Sequence, residues 1–455
     1  MEIEVLLELI ELISTQKNEI GGLIKIIRDK NFILDDEVLL TATKTKQIQF
    51  VRYIFKKGIK PTLESFRYVA EHNLLDLCCL FVEFGSREIL STPELEKQLK
   101  TVCISGSLGV TKHLINKGVD PTVDDNICIR IASEKGYTKL VHLFLQHECD
   151  PSSLNNYPIQ IASSRGHIEI IRLLLKHGIV ASVNENEPIQ MASHGGHLEV
   201  VRLLLNNGAD SRANNNRSIQ LASNKGHLEV VRLLLENGAD HTVDDNYCIK
   251  LASEEGHFDV VRLLIEKGAN PMAGDNYSII SASAGGHLEV VRLLLKYGAD
   301  SKANNNMAIQ IASKNGHHEI VRLLLKHGAD PRANNNLSIQ VASEKGHLEI
   351  VSLLLINGTD PTTNDNYAIR IASKRDYLEV VRILLEYGAD PTADDNYAIK
   401  WASEMGNLEV VQLLLKNDSE YRVDPTAENN YAIKHVSGYD KLEIIKLLEK
   451  YGASL

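Results

Sequence analysis

Residues Asn184 to Ala213 read NENEPIQMASHGGHLEVVRLLLNNGADSRA, and the chain returns to this pattern every 30 residues: IASEKGY starts at Ile131, IASSRGH at Ile161, MASHGGH at Met191, LASNKGH at Leu221 and WASEMGN at Trp401. A fixed period between about 20 and 50 residues is the signature of a stacked repeat protein, each unit being too small to bury its own apolar face. Within the unit, Pro188 suits the first turn of a helix, where its missing N–H would have been unpaired anyway. Asn186 or Glu187 stands where a cap or an N-terminal acid is favoured, so a first helix is expected to start there. Ile189, Ala192 and Ser193 fall at i, i+3 and i+4, a narrow face that admits a neighbouring helix. Gly195-Gly196 stops the helix, glycine entering the left-handed region without a Cβ penalty.

His197 then opens a second helix whose apolar residues, Leu198, Val200, Val201, Leu203, Leu204 and Leu205, cover too wide an arc for one seam. That helix must be covered on two sides, by its own first helix and by neighbouring repeats. Glu199 and Arg202 form an i, i+3 pair on the remaining face. The pair recurs as Glu169/Arg172, Glu229/Arg232, Asp259/Arg262, Glu289/Arg292, Glu319/Arg322 and Glu379/Arg382, which marks a water-facing ridge. Gly208 ends the second helix, and Ala209 to Asn216 return the chain with turn-forming Asn and Asp residues.

Charge and cysteine content narrow the class. The 455 residues carry a formal charge of -11 with acids and bases interleaved, so no basic stripe is available for phosphates, and no nucleic-acid partner is expected. Cys78, Cys79, Cys103, Cys128, Cys149 and Cys248 show neither metal nor disulfide spacing, which points to reduced thiols in a cytosolic setting. The N-terminus MEIEVLLELIELI is acidic where a secretory signal is basic, and no uninterrupted apolar run approaches about 18 residues, so neither secretion nor a membrane partner is expected.

The string G-H-L-E-V-V-R-L-L-L-x-x-G-A-D closely resembles the second half of the ankyrin repeat. Pro188-Ile189-Gln190-Met191-Ala192-Ser193 aligns with that family's T-P-L-H-x-A-A stretch. The resemblance is strong over residues 100 to 455 and faint over 40 to 100. It implies an all-α, ankyrin-type helix-turn-helix solenoid. The family's repeat has 33 residues, and the three missing here fall between G-A-D and the first helix, where the family builds a β-hairpin finger. Asp300 to Met307 must span that distance, so shortened inter-repeat turns are expected in place of fingers. The family's capping Thr and linking His are mostly replaced, the latter by Gln, Lys or Arg. Strings such as Asp395 to Lys400, D-N-Y-A-I-K, and Asn334 to Gln340, N-N-N-L-S-I-Q, resemble the ankyrin arrays encoded by large DNA viruses of amoebae.

Along the chain, residues 1–35 read as an N-terminal helical cap, 36–123 as degenerate repeats and 124–416 as regular 30-residue repeats. Residues 417–455 read as a lengthened loop, Asn417 to Asp424, and a capping repeat with Lys441, Lys446, Glu449 and Lys450 among its apolar positions.

Three patterns invite a chemical reading. The histidines at 167, 197, 227, 257, 287, 317 and 347 resemble a metal ladder, but stacked helices sit about 8–10 Å apart while Zn–N bonds are about 2 Å, so a structural role at the helix joint is expected and no metal or other cofactor. Ser193, His197 and Asp210 resemble a hydrolase triad only superficially, because the trio recurs in several repeats and catalysis needs one site with oxyanion donors. The candidates for partner binding are tyrosines at one position per repeat: Tyr157, Tyr247, Tyr277, Tyr367, Tyr397 and Tyr431, with Glu187, Arg217, Met307 and Leu337 in intervening units. Tyrosine offers large contact area at low rotamer entropy, and it serves equally to pack over a shortened turn. A second variable column, from Ser164-Arg165 to Glu404-Met405, precedes the joint glycines and reads as a solvated face or a partner-reading one. The function expected is a non-catalytic protein–protein interaction scaffold, monomeric and cytoplasmic, in a host cytoplasm if viral. The alternative is a substrate adaptor for a ubiquitin ligase. Viral adaptors of that class carry a short ligase-recruiting box, for which residues 1–35 are short and contain no proline.

Overall fold

The computed structural model describes residues 6–11, 20–30, 32–85, 92–417 and 421–455. The chain divides into two compact units, Met1–Ser218 and Ile219–Leu455. In the first, helix pairs follow one another as Asp36–Lys44 with Ile48–Lys56, Leu63–Glu71 with Leu75–Phe84 and Thr92–Ser105 with Leu108–Asn116. Regular pairs continue through Val183–Gly195 with Leu198–Asn206. In the second unit the same pairing runs from Val243–Glu254 with Phe258–Glu266 to Ala427–Lys434 with Lys441–Lys450. Among the described residues there is no β-strand. The fold is thus all-α and built of stacked helix pairs. The lengthened loop expected after Asn417 includes residues 418–420, and much of the expected N-terminal cap is residues 1–5 and 12–19; both lie outside the described residues.

Leading helices stack on leading helices and trailing on trailing within each unit. The core is correspondingly thin. Ile189, Ala192, Val201 and Leu204 are fully buried, as are Ile279, Ala282, Val291 and Leu294 in the second unit. Small Ala and Ser on the leading helix permit the close stacking that the trailing helix fills with Leu and Val. The Glu/Arg ridge forms as expected on the exposed side, with Arg202 to Glu199 at 3.5 Å and Arg292 to Glu289 at 3.4 Å. Such half-exposed pairs are worth little individually.

Joint glycines take left-handed backbone, Gly166 at φ 77° and Gly196 at φ 74°. Gly85, which follows the helix Leu75–Phe84, lies instead at φ -56°, ψ 149°, an extended conformation open to any residue.

The turn into each leading helix departs from the expected cap. Asn184, Glu185 and Asn186 all adopt left-handed backbone, with φ 49°, 54° and 63°. The same triplet recurs at Asp244–Asp245–Asn246, Asn304–Asn305–Asn306 and Asp394–Asp395–Asn396. Three such residues in a row are uncommon, and Asn, Asp and Gly tolerate the conformation best because their short polar groups bond locally. Asn186 does not cap its own helix. Its Oδ1 accepts instead from the backbone N–H of Asp210 at 2.7 Å, in the next turn along the chain. Asn276 to Asp300, Asn306 to Asp330, Asn336 to Asp360 and Asn366 to Asp390 repeat this link at 2.7–3.0 Å. Asp210 in turn accepts from the N–H of Arg212 at 2.8 Å, an Asx turn. A left-handed turn of three residues therefore reverses the chain where a hairpin finger would project, and the turn is blunt.

Candidate protein-binding face

The Gln, Lys or Arg that stands in place of a family histidine holds this turn together. Gln190 Nε2 donates to the Glu185 carbonyl at 2.8 Å, Gln310 to Asn305 at 2.7 Å, Gln340 to Asn335 at 2.7 Å, and Arg370 Nε to Asp365 at 2.8 Å. The same residue also reaches the first triplet residue of the following repeat. Gln340 Oε1 accepts from Asn364 at 3.3 Å, Arg370 pairs with Asp394, and Lys400 pairs with Glu428 at 2.9 Å. At these three the amide meets an amide and the cations meet acids, so these residues support the backbone of the face.

The histidine column is committed to structure. His197 Nε2 lies 2.9 Å from the Ser164 carbonyl, His287 Nε2 2.9 Å from Glu254 O and His347 Nε2 3.1 Å from Lys314 O. A carbonyl only accepts, so Nε2 is the protonated nitrogen in each. Ser193 is fully buried, while Asp210 is engaged by the Arg212 amide, so the three groups do not assemble as nucleophile, base and orienting acid. Among the described residues no three His, Cys, Asp or Glu side chains are grouped for a metal ion.

The tyrosine column is partly open. Tyr247 and Tyr277 are 39% and 43% exposed, while Tyr157, Tyr367, Tyr397 and Tyr431 are half-buried. Tyr157 belongs to the first unit and the other five to the second. The structure joins this column to the pre-glycine one. Tyr277 Oη donates to Glu254 Oε2 at 3.2 Å, and Tyr431 Oη to Glu404 Oε2 at 2.7 Å. These two tyrosines thus reach back to the acid that precedes the joint glycine of the previous repeat. Burial first, then the Glu254 carboxylate, raises the Tyr277 pKa above its usual value. Burial and Glu344 do the same at Tyr367. At Tyr431 the hydrogen bond to Glu404 is the main cause. At Tyr397 burial raises the pKa against the opposing pull of Arg370.

Toward the end of the second unit the column becomes a cluster. The Tyr397 and Trp401 rings lie 5.5 Å apart between centroids. Arg370 sits 5.1 Å from the Tyr397 centroid and the Lys374 ammonium 3.7 Å from that of Trp401. Lys400 stands 6.0 Å over Tyr431. Cations over aromatic faces are attracted by the ring quadrupole. Trp401 and Arg370 were not among the expected binding residues, whereas Lys374 belongs to the variable pre-glycine column. The available signal was that Trp401, the single tryptophan, replaces the aliphatic residue found at Ile371, Val341 and Ile311.

Comparison with known protein families identifies one match, to a family described as ankyrin repeats in three copies. It recurs over residues 99–185, 129–216, 180–245, 214–275, 249–335, 278–365, 338–429 and 369–455, which together span 99–455 and more than half of the chain. A search of curated proteins returned no match.

Proposed function

The chain belongs to the ankyrin-repeat family, a class of protein–protein interaction modules, and from that premise we propose that it is a non-catalytic scaffold whose partner docks on the leading-helix face of the second unit. The observation that carries this reading is the half-exposed cluster of Tyr397 and Trp401 with Arg370 and Lys374. Tyr, Trp and Arg are the residue types that dominate interface energetics, the two aromatics because they bury much area at small entropic cost. Tyr247 and Tyr277, more exposed, extend the same face. The chain's acidic balance and the absence of a helix long and apolar enough to cross a membrane, among the described residues, agree with a protein partner met in the cytoplasm.

Affinity capture with the full chain, followed by mass spectrometry, tests the proposal when repeated with a Trp401→Ala, Lys374→Ala double variant. One or more proteins should be held by the parent chain and lost from the variant. Capture of ligase scaffold subunits would assign the adaptor role instead of a plain scaffold. Identical profiles from parent and variant would remove the cluster from the binding site.

A further inference from the structure

The exposed ridge lacks its arginine in two regular repeats of the second unit, at Gln412 and, between two intact pairs, at Ser352. On either side of Ser352, Glu319 pairs with Arg322 at 3.9 Å and Glu379 with Arg382 at 3.2 Å. In the intervening helix Leu348–Ile356, Ser352 occupies the arginine position, and Glu349 makes no ion pair among the described residues. The same helix ends on Ile356, 67% exposed, where its neighbours end on Lys326 and Glu386. Leu348, Ser352 and Ile356 are spaced i, i+4 and i+8, so they lie along one line of the helix surface.

A single exposed aliphatic residue is ordinary. Here two departures fall on one helix and coincide with a groove of about 540 Å³, floored by Leu348, Leu353, Ile356 and Ile383. Arg322 and Arg382 on its rims are already answered by their own acids. The charges left over are the carboxylates of Glu349 and Glu386, both lining the groove. An apolar floor beside two unanswered carboxylates is complementary to a cation carried among aliphatic side chains, and mismatched to an acidic occupant.

We propose that this trailing-helix groove is a docking surface separate from the tyrosine face, for a partner-protein segment that inserts one arginine between aliphatic side chains. The guanidinium meets Glu349 at the place where neighbouring repeats supply their own arginine. The flanking aliphatic groups cover Leu353, Ile356 and Ile383.

The test uses the full chain and a fluorescently labelled helical peptide of about 15 residues, with Leu, Arg and Leu spaced i, i+4 and i+8 on one face and Ala and Gln elsewhere. A control peptide carries Glu for the Arg. Fluorescence anisotropy at fixed salt should show the Arg peptide binding at least about tenfold tighter than the control. Ser352→Arg installs the residue that neighbouring repeats already carry, and it should weaken the Arg peptide about tenfold or more. Glu349→Gln, which leaves the groove open, should abolish the discrimination between peptides. Tyr397→Ala should change neither result, so failure here is distinguishable from failure of the tyrosine face. Absence of binding, equal affinity for both peptides, or unchanged affinity in Ser352→Arg would overturn the proposal. So would a sedimenting dimer of the parent chain that Ser352→Arg dissociates, because the occupant would then be a second copy.

Discussion

The imidazole of His197 occupies the space left by the missing side chain of Gly166: a Cβ built on Gly166 would stand 2.6 Å from His197 Nδ1, while His197 Nε2 bonds the Ser164 carbonyl two residues before that glycine. One glycine therefore answers two demands, a left-handed backbone at φ 77° and room for the next repeat's ring. Asp376 shows the counterpart. It holds φ 63° at the equivalent joint, and the residue 31 positions on is the smaller Asn407, whose Nδ2 donates to Ser373 O at 2.9 Å. Gly178 ends a trailing helix at φ 94° with nothing near its absent Cβ. Gly178→Ala should cost about 1–2 kcal/mol, the left-handed penalty alone. Gly166→Ala should cost at least about 1 kcal/mol more, because the ring and its hydrogen bond are displaced as well. Urea unfolding of both variants decides the matter, and equal losses would show that the His197 contact carries no stability. His197→Asn in the Gly166→Ala background should recover part of the difference.

Core and ridge should separate cleanly in the same assay. Leu204 is fully buried, so Leu204→Ala should destabilise by about 2–5 kcal/mol through lost burial and a residual cavity. Arg202 pairs with Glu199 on the exposed ridge, and Arg202→Ala should stay within about 0.5–1 kcal/mol. Between them, Asn186→Ala should cost about 1 kcal/mol, since it leaves the Asp210 amide without its acceptor. Similar losses for Leu204→Ala and Arg202→Ala would contradict the assignment of faces.

The repeat period, the helix pairing and the burial of Ile189 and Leu204 follow directly from apolar spacing in one unit, because both helices are strongly patterned. The turn does not follow in the same way. Asn184-Glu185-Asn186 signals reversal by composition, but any of several turn types would use those residues, and the acceptor role of Asn186 depends on an amide 24 positions away. Gln190 looked like the loss of a family link, and its contact with the Glu185 carbonyl becomes meaningful only once that carbonyl faces the helix. For the tyrosines, one column is visible in the text. Its pairing with the pre-glycine acids is not, since Tyr277 and Glu254 belong to different repeats and meet only through stacking.

Burial and that pairing together give the column a pH signature. Tyr277, Tyr367, Tyr397 and Tyr431 are all raised above the ordinary tyrosine value of about 10. Above that pH the unfolded chain loses its phenolic protons first. The stability these groups contribute is therefore fully present below about pH 10 and lost as pH rises through their folded values. Ultraviolet titration of the folded chain should show a set of tyrosines ionising later than the rest, and Glu254→Gln should bring Tyr277 earlier by removing a repelling charge. A single transition at the ordinary value would rule out the Tyr–Glu layer.

The central claim is that the leading-helix face of the second unit binds a protein. Its most direct measurement is the affinity of a captured partner for a quadruple variant, Tyr247→Ala, Tyr277→Ala, Tyr367→Ala and Tyr397→Ala, set beside the parent chain, with folding checked by circular dichroism. Aromatic anchors dominate interface energetics, so binding should weaken by at least about 2 kcal/mol while the helical signal is retained. A folded variant that binds with unchanged affinity would show that these tyrosines only pack, and that the partner docks elsewhere.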